Sequence, residues 1–214
     1  MADPHPDPHA IRFLVLDGGE GCGKSTQAAR LKAFFEREGR PVELLRDPGS
    51  TRIGEKVRDI LLNSDHVEMT RRCECMLYMA ARAQMVAEQI RPALDEGKLV
   101  ICDRYVSSTL AYQVGDDLGA DDIRAAADVA IGDCVPDLTL LLDLDPAVGI
   151  ARVTRPKDRI EQRPLAYHQQ VRARFRAQAE DNPKFKIINA DQPEDDVEHE
   201  IQQALGINAA PLFE

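Results

Sequence analysis

The chain has 214 residues, 43% of them hydrophobic and 30% charged, with a formal net charge of −10. That length and composition suit one compact α/β domain with a small lid, and the acidic balance argues against wholesale nucleic-acid binding. No apolar run approaches the roughly 18 residues of a membrane span, and the N-terminus lacks a basic-then-apolar signal design. Five scattered cysteines, an odd number, point to reduced thiols in a cytoplasm. An anionic ligand would need a local cluster of arginines working against the global charge.

Residues 1–10, rich in Pro, His and Asp, read as a disordered tail in which His5 and His9 are solvated. Residues 11–206 form the domain, with a lid at about 152–164, and residues 207–214 are a C-terminal tail. The apolar run 11–16 reads as a buried strand. It leads into Asp17-Gly18-Gly19-Glu20-Gly21-Cys22-Gly23-Lys24-Ser25-Thr26, which matches G-x-x-x-x-G-K-[ST] from Gly18 to Ser25. A helical pattern over 24–38 follows and stops at Gly39.

Glycines let the backbone curl so that successive N–H groups face one concavity, and the helix adds its positive N-terminal end. Gly18, Gly19, Glu20, Gly21, Cys22, Gly23, Lys24, Ser25 and Thr26 are therefore the candidate phosphate cradle of a nucleoside triphosphate. Lys24 can reach the β- and γ-phosphates, and the Ser25 hydroxyl can ligate Mg²⁺.

A second strand, 42–46, ends in the turn Arg46-Asp47-Pro48-Gly49-Ser50-Thr51, at the sheet edge where open parallel sheets bind ligands. Helices are expected at 52–62 and at 70–94, the latter kinked at its end by Pro92 and stopped by Gly97. Strand 99–102 delivers Asp103-Arg104-Tyr105. A helix at 122–131, a strand at 138–142 running into Asp143, and a short helix then lead to the basic stretch 152–159. A helix at 165–181, a strand at 185–188 and a helix at 194–205 close the domain. This alternation predicts a doubly wound, largely parallel sheet flanked by helices.

An apolar strand ending in Asp is the Walker B design, whose carboxylate holds Mg²⁺ opposite the phosphate loop. Asp103 and Asp143 both qualify. Asp103 is preferred because Arg104 follows it, and Asp143 reads as a strand-end carboxylate that organises the next turn. Arg46, Arg82 and Arg104 fall near the loop, and guanidinium forks match phosphate oxygens. Arg12, Arg58, Arg124 and Arg172 read as ordinary solvated arginines. The closely spaced Arg152, Arg155 and Arg159 suit a mobile lid that stabilises a migrating phosphoryl group. No Asn-Lys-x-Asp guanine-binding motif and no transporter-type signature is present. The bare residues thus favour a small-molecule kinase: a nucleoside monophosphate kinase, a deoxynucleoside kinase, or a regulatory module on the same scaffold.

From about Phe13 to Leu205 the chain resembles the thymidylate (dTMP) kinase family, a P-loop nucleotide kinase fold. The resemblance rests on residues 17–26, Arg46–Thr51, Leu77-Tyr78-Met79-Ala80-Ala81-Arg82, Asp103-Arg104-Tyr105 with Ser107–Gln113, Pro136-Asp137-Leu138, and Asp158-Arg159-Ile160-Glu161-Gln162, in shared order and spacing. It implies transfer of the ATP γ-phosphoryl to dTMP with Mg²⁺, a homodimer, and sheet order 2-3-1-4-5. It further implies that Glu20 contacts the deoxyribose 3′-OH, and that Arg104 and the Arg46–Pro48 turn hold the acceptor phosphate. Tyr78 would stack on thymine. Arg82, Ser108 and Thr109 would meet the base, Tyr112 would lie under the sugar, and Gln113 would belong to the same dTMP site. With no arginine inside the loop, the catalytic arginine would come from the lid, Arg152 first and Arg159 next. Asp47-Pro48-Gly49-Ser50 replaces the commoner Glu-Pro-Gly-Gly, Tyr78 stands where Phe is usual, and the lid is slightly short.

Overall fold

The computed structural model describes residues 10–180 and 182–207; His5, His9 and residues 208–214, which hold most of the expected tails, lie outside them. In chain order the elements are β1 (Phe13–Gly18), α1 (Lys24–Arg37), β2 (Val42–Arg46), α2 (Arg52–Leu62), α3 (Arg71–Met85), a π-helical turn (Val86–Ile90), α4 (Arg91–Asp95) and β3 (Leu99–Asp103). They continue with α5 (Val106–Tyr112), α6 (Ala120–Ile131), β4 (Leu138–Asp143), α7 (Pro146–Arg152), α8 (Leu165–Glu180), β5 (Phe185–Asn189) and α9 (Glu194–Ala204). The described strands form one parallel sheet in the order β2-β3-β1-β4-β5. This is the order the resemblance implies.

The sheet is covered on both faces, which is why its strands are near-continuous apolar runs. Successive side chains alternate between faces. Leu14 and Leu16 pack with Leu31 and Phe35 of α1 and Val197 and Ile201 of α9. Phe13 and Val15 pack on the opposite side with Met85, Val86, Ile90 and Ile131. No helix among the described residues is long and apolar enough to cross a membrane.

Three local readings differ from the structure. β1 runs two residues further than expected, through Asp17 to Gly18, because Gly18 still pairs with Leu142 of β4. The expected long helix is divided, and the wide π turn lies immediately before the segment holding Pro92. Pro92 has no N–H to return to the Glu88 carbonyl, so the regular ladder cannot continue through it. α5 was not anticipated. Val106, Ser107, Ser108 and Thr109 are weak helix formers, and the helix is held by tertiary contacts: the Ser107 and Ser108 hydroxyls each donate to Asp17 at 2.6 Å.

Parallel register gathers the carboxyl ends of the strands. Asp103 stands opposite both Leu16 and Arg46, and the pairing extends past the strands through Arg104 N–H to Leu16 O and Asp47 N–H to Asp103 O, both 2.9 Å. The phosphate loop, the Arg46 turn and Asp103-Arg104 therefore share one edge.

Ile101 is fully buried in central β3. Ile101→Ala should cost about 2–5 kcal/mol by urea denaturation; a loss below about 1 kcal/mol would contradict the central placement of this strand.

Candidate active site

The phosphate loop departs from β1 with Gly18, Gly21 and Gly23 all at positive φ. Two of these glycines are irreplaceable on space alone. A Cβ on Gly18 would stand 2.4 Å from the Leu142 carbonyl oxygen, and one on Gly21 would stand 2.0 Å from that of Gly149 in α7. Lys24 opens α1 and curls back over the loop, donating to the Gly19 carbonyl at 2.6 Å and the Gly18 carbonyl at 3.3 Å. Ser25 Oγ donates to Asp103 Oδ2 at 2.5 Å. The hydroxyl and carboxylate expected to meet a magnesium ion are thus adjacent. Asp143 is instead occupied by Arg172, at 2.7 and 2.9 Å, and by Arg176 at 2.6 Å. That pairing leaves Asp103 as the strand-end carboxylate in contact with Ser25.

Arg104 follows Asp103 in a left-handed conformation, φ 71°, which turns its side chain back across the loop. Its guanidinium donates to the Gly18 carbonyl at 2.9 Å, to Glu20 Oε1 at 2.9 Å and to Ser108 Oγ at 3.1 Å, and lies over the Tyr112 ring. Tyr112 also donates its hydroxyl to Glu20 at 2.7 Å. Burial alone would raise the Glu20 carboxyl, but Arg104, Lys24 and the Tyr112 hydroxyl together hold it down to about 2. Asp17, wholly buried under this cluster, is pushed up by burial against the opposing pull of Arg104. It accepts from Ser107, Ser108 and the Gly18 amide.

A large cleft of about 970 Å³ runs over the loop, with Thr26, Arg46, Asp103, Arg152 and Gln192 among its walls. A smaller, more enclosed cavity adjoins it, bounded by Pro48, Tyr78, Arg82, Ser108, Thr109, Tyr112 and Gln113. Glu20, Asp47, Arg58, Arg104, Arg155 and Asp158 line both. Arg82 is 1% exposed and bound on several sides: to Asp47, to the Tyr105 carbonyl at 3.1 Å and to Thr109 Oγ1 at 3.0 Å. Burial pushes the half-buried Tyr78 hydroxyl up, so it stays protonated.

The structure therefore brings together nearly all the residues singled out from sequence. Arg46 borders the larger cleft rather than the smaller cavity, and pairs with Glu55 at 3.1 Å. In the segment 153–164, Arg155 reaches both cavities while paired bidentately with Glu161 at 2.6 and 2.8 Å. Arg152 borders the large cleft and donates to the Ala190 carbonyl at 3.2 Å. Arg159 lines neither cavity. It is held by Glu74 and by the Leu61 carbonyl.

Arg58 and Arg172 correct the expectation of solvated arginines. The half-buried Arg58 borders both cavities and donates to the Pro48 carbonyl at 2.9 Å; Arg172 is tied to Asp143. Sequence reasoning also passed over Asp17, Glu74 and Glu161 as site residues. Asp17 carried a signal, an acid closing a buried strand before the loop; Glu161 carried none beyond its place in the 158–162 motif, and Glu74 carried none.

A family model described as thymidylate kinase matches residues 16–201. A protein named thymidylate kinase from Deinococcus radiodurans is 44% identical over 197 residues, covering 90% of this chain and 95% of the relative. One so named from Magnetococcus marinus is 45% identical over 188 residues, 85% of this chain and 89% of the relative. Another from Maridesulfovibrio salexigens is 40% identical over 201 residues, 89% and 93% respectively. The match spans the loop, the arginine-lined junction and the lid, and the chain belongs to the thymidylate kinase family.

Proposed function

We propose that the protein transfers the γ-phosphoryl group of ATP to dTMP, giving dTDP for dTTP synthesis. The observation that carries this reading is the junction of the two cavities, where Arg58, Arg104 and Arg155 line both. Three guanidiniums at one meeting point suit two phosphate groups brought end to end. The larger cleft, with the phosphate loop as its floor, takes ATP; the smaller takes the deoxynucleoside monophosphate.

The acceptor phosphate is already ionised, so no general base is needed, and catalysis is alignment and charge neutralisation. Lys24 would exchange its loop carbonyls for the β- and γ-phosphates. Ser25 and Asp103 would hold the magnesium ion. Such an ion, when bound, neutralises charge on the phosphate oxygens. Arg104, with Arg46 and the Pro48 turn, would hold the acceptor phosphate, and Glu20 would accept from the 3′-OH. Tyr78 would stack on the base, with Arg82, Ser108, Thr109 and Gln113 at its edge and Tyr112 beneath the sugar. A thymine methyl is worth only ~0.8 kcal/mol of burial, so dUMP should be a weaker substrate rather than an excluded one.

Among the lid arginines, Arg155 is the one bordering both cavities and is assigned to the migrating phosphoryl group. Arg152 serves the donor end, and Arg159, engaged with Glu74, seats the lid. A homodimer is part of the proposal, supported by Ile53 and Ile60 of α2 and Met76 of α3, exposed on two helices that pack together. A cytoplasmic setting is supported by five unpaired thiols.

In an ADP-release assay with ATP and Mg²⁺, dTMP should give the highest rate, dUMP less, and dCMP, AMP and GMP close to none, with Lys24→Ala abolishing turnover in a folded protein. Equal rates with AMP or GMP would reject the acceptor assignment. Arg155→Ala should lower kcat by about 10²–10³ with little change in KM for dTMP, whereas Arg159→Ala should chiefly lower the Tm; the reverse pattern would exchange their roles. Because Glu20 is held near 2, it remains a carboxylate throughout the assay range. The kcat/KM profile should therefore fall only as pH drops through about 6, the second ionisation of the acceptor phosphate. An acid limb that disappears in Glu20→Gln would contradict this.

A further inference from the structure

Glu74 is not among the residues that border either cavity, yet it touches groups belonging to both the acceptor cavity and the lid. It is 2% exposed in the first turns of α3. Its Oε1 accepts from Gln113 Nε2 at 2.7 Å. Its Oε2 accepts from Arg159 Nη2 and lies 3.6 Å from Arg163 Nη2.

The two partners serve different parts of the site. Gln113 borders the acceptor cavity beside Arg82. Arg159 roots the segment that carries Arg155: its Nε donates to the Leu61 carbonyl at 2.9 Å and its backbone amide to the Leu62 carbonyl at 3.2 Å.

A carboxylate can only accept hydrogen bonds. Glu74 therefore forces the Gln113 amide to turn its NH₂ inward, which leaves the carbonyl oxygen as the end available to the cavity. Arg82 borders the same cavity, and its Nη1 has only the Met79 sulfur, a weak acceptor, at 3.1 Å. One donor and one acceptor bordering one cavity suit the O4 and N3–H of a thymine or uracil ring. They oppose the amino group and bare N3 of cytosine, which would leave buried polar groups mispaired.

We propose that Glu74 is a positioning residue that fixes the amide polarity of Gln113 and, through Arg159, seats the lid, so that pyrimidine recognition and lid placement depend on one buried carboxylate. This rests on the dTMP-phosphorylating reading above. Glu74→Gln keeps the shape but lets the Gln113 amide face either way and leaves Arg159 without its anion.

The test compares wild type, Glu74→Gln and Glu74→Asp, the last one methylene short of both partners. Two quantities are read: the ratio of kcat/KM for dTMP over dCMP, and the slowing of amide hydrogen exchange over residues 153–164 when dTMP is added. In folded Glu74→Gln the ratio should fall about tenfold or more and the dTMP-induced protection should be lost. Glu74→Asp should move both in the same direction, and it carries the test if Glu74→Gln does not fold. A folded variant whose ratio or whose protection stays within about twofold of wild type overturns the proposal. Failure of both variants to fold overturns it too, by making Glu74 a folding residue. A wild-type protein that does not phosphorylate dTMP would instead refute the function itself.

Discussion

The Arg104 guanidinium is the group on which the site depends. A guanidinium largely withdrawn from water, with 18% of its side chain exposed, is costly unless anions and hydrogen-bond acceptors surround it, and here they come from three separate parts of the fold. The loop offers the Gly18 carbonyl and Glu20, α5 offers Ser108 and the Tyr112 ring, and Asp17 closes the base at 3.8 Å. The left-handed backbone at residue 104 is disfavoured for a side chain of this kind. It persists because these contacts together over-determine it. Loop, strand end and α5 are thereby locked in one arrangement before any nucleotide arrives.

The same principle extends outward. The chain carries ten more acids than bases, and most cations near the site are already matched to an anion or carbonyl. Arg46 holds Glu55, Arg155 holds Glu161, Arg159 holds Glu74, and Lys24 rests on the carbonyls of Gly18 and Gly19. These pairings differ in how readily they yield. Arg155 is 60% exposed while its partner Glu161 is 3% exposed, so solvent weakens its hold and an arriving phosphate can compete. Arg159 and Glu74 are both shielded, and that pair suits a hinge post rather than a moving contact. Burial thus separates the shielded Arg159 from the more exposed Arg152 and Arg155, a distinction their spacing does not carry.

Much of the fold was legible from local pattern. Each apolar run became a strand because both faces of a parallel sheet are buried, and the glycine-rich loop was readable because three positive-φ positions and a phosphate-facing helix impose a fixed spelling. The Asp103-Arg104 pair was legible for a related reason, since an apolar strand that ends in a carboxylate beside a guanidinium is a spelling few other strand tips share. The π turn, α5 and the orientation of Arg58 were not legible. In α5 the intrinsic propensity points away from helix and Asp17 overrides it from another strand. For Arg58 the amphipathic pattern of α2 is the same whether its polar face meets water or the junction of two cavities.

The sequence by itself determined the strands, the phosphate loop, the Asp103-Arg104 strand tip and, through its resemblance, the order of the sheet and the family. These depend on contacts between near neighbours or on backbone geometry that only a few residue types can adopt. Tertiary structure alone decided that Arg172 and Arg176 occupy Asp143, that Arg155 rather than Arg159 borders both cavities, and that Glu74 joins Gln113 to the lid. Each of those outcomes is a competition among charges from elements distant in the chain, and burial and distance, which no spacing encodes, settle it.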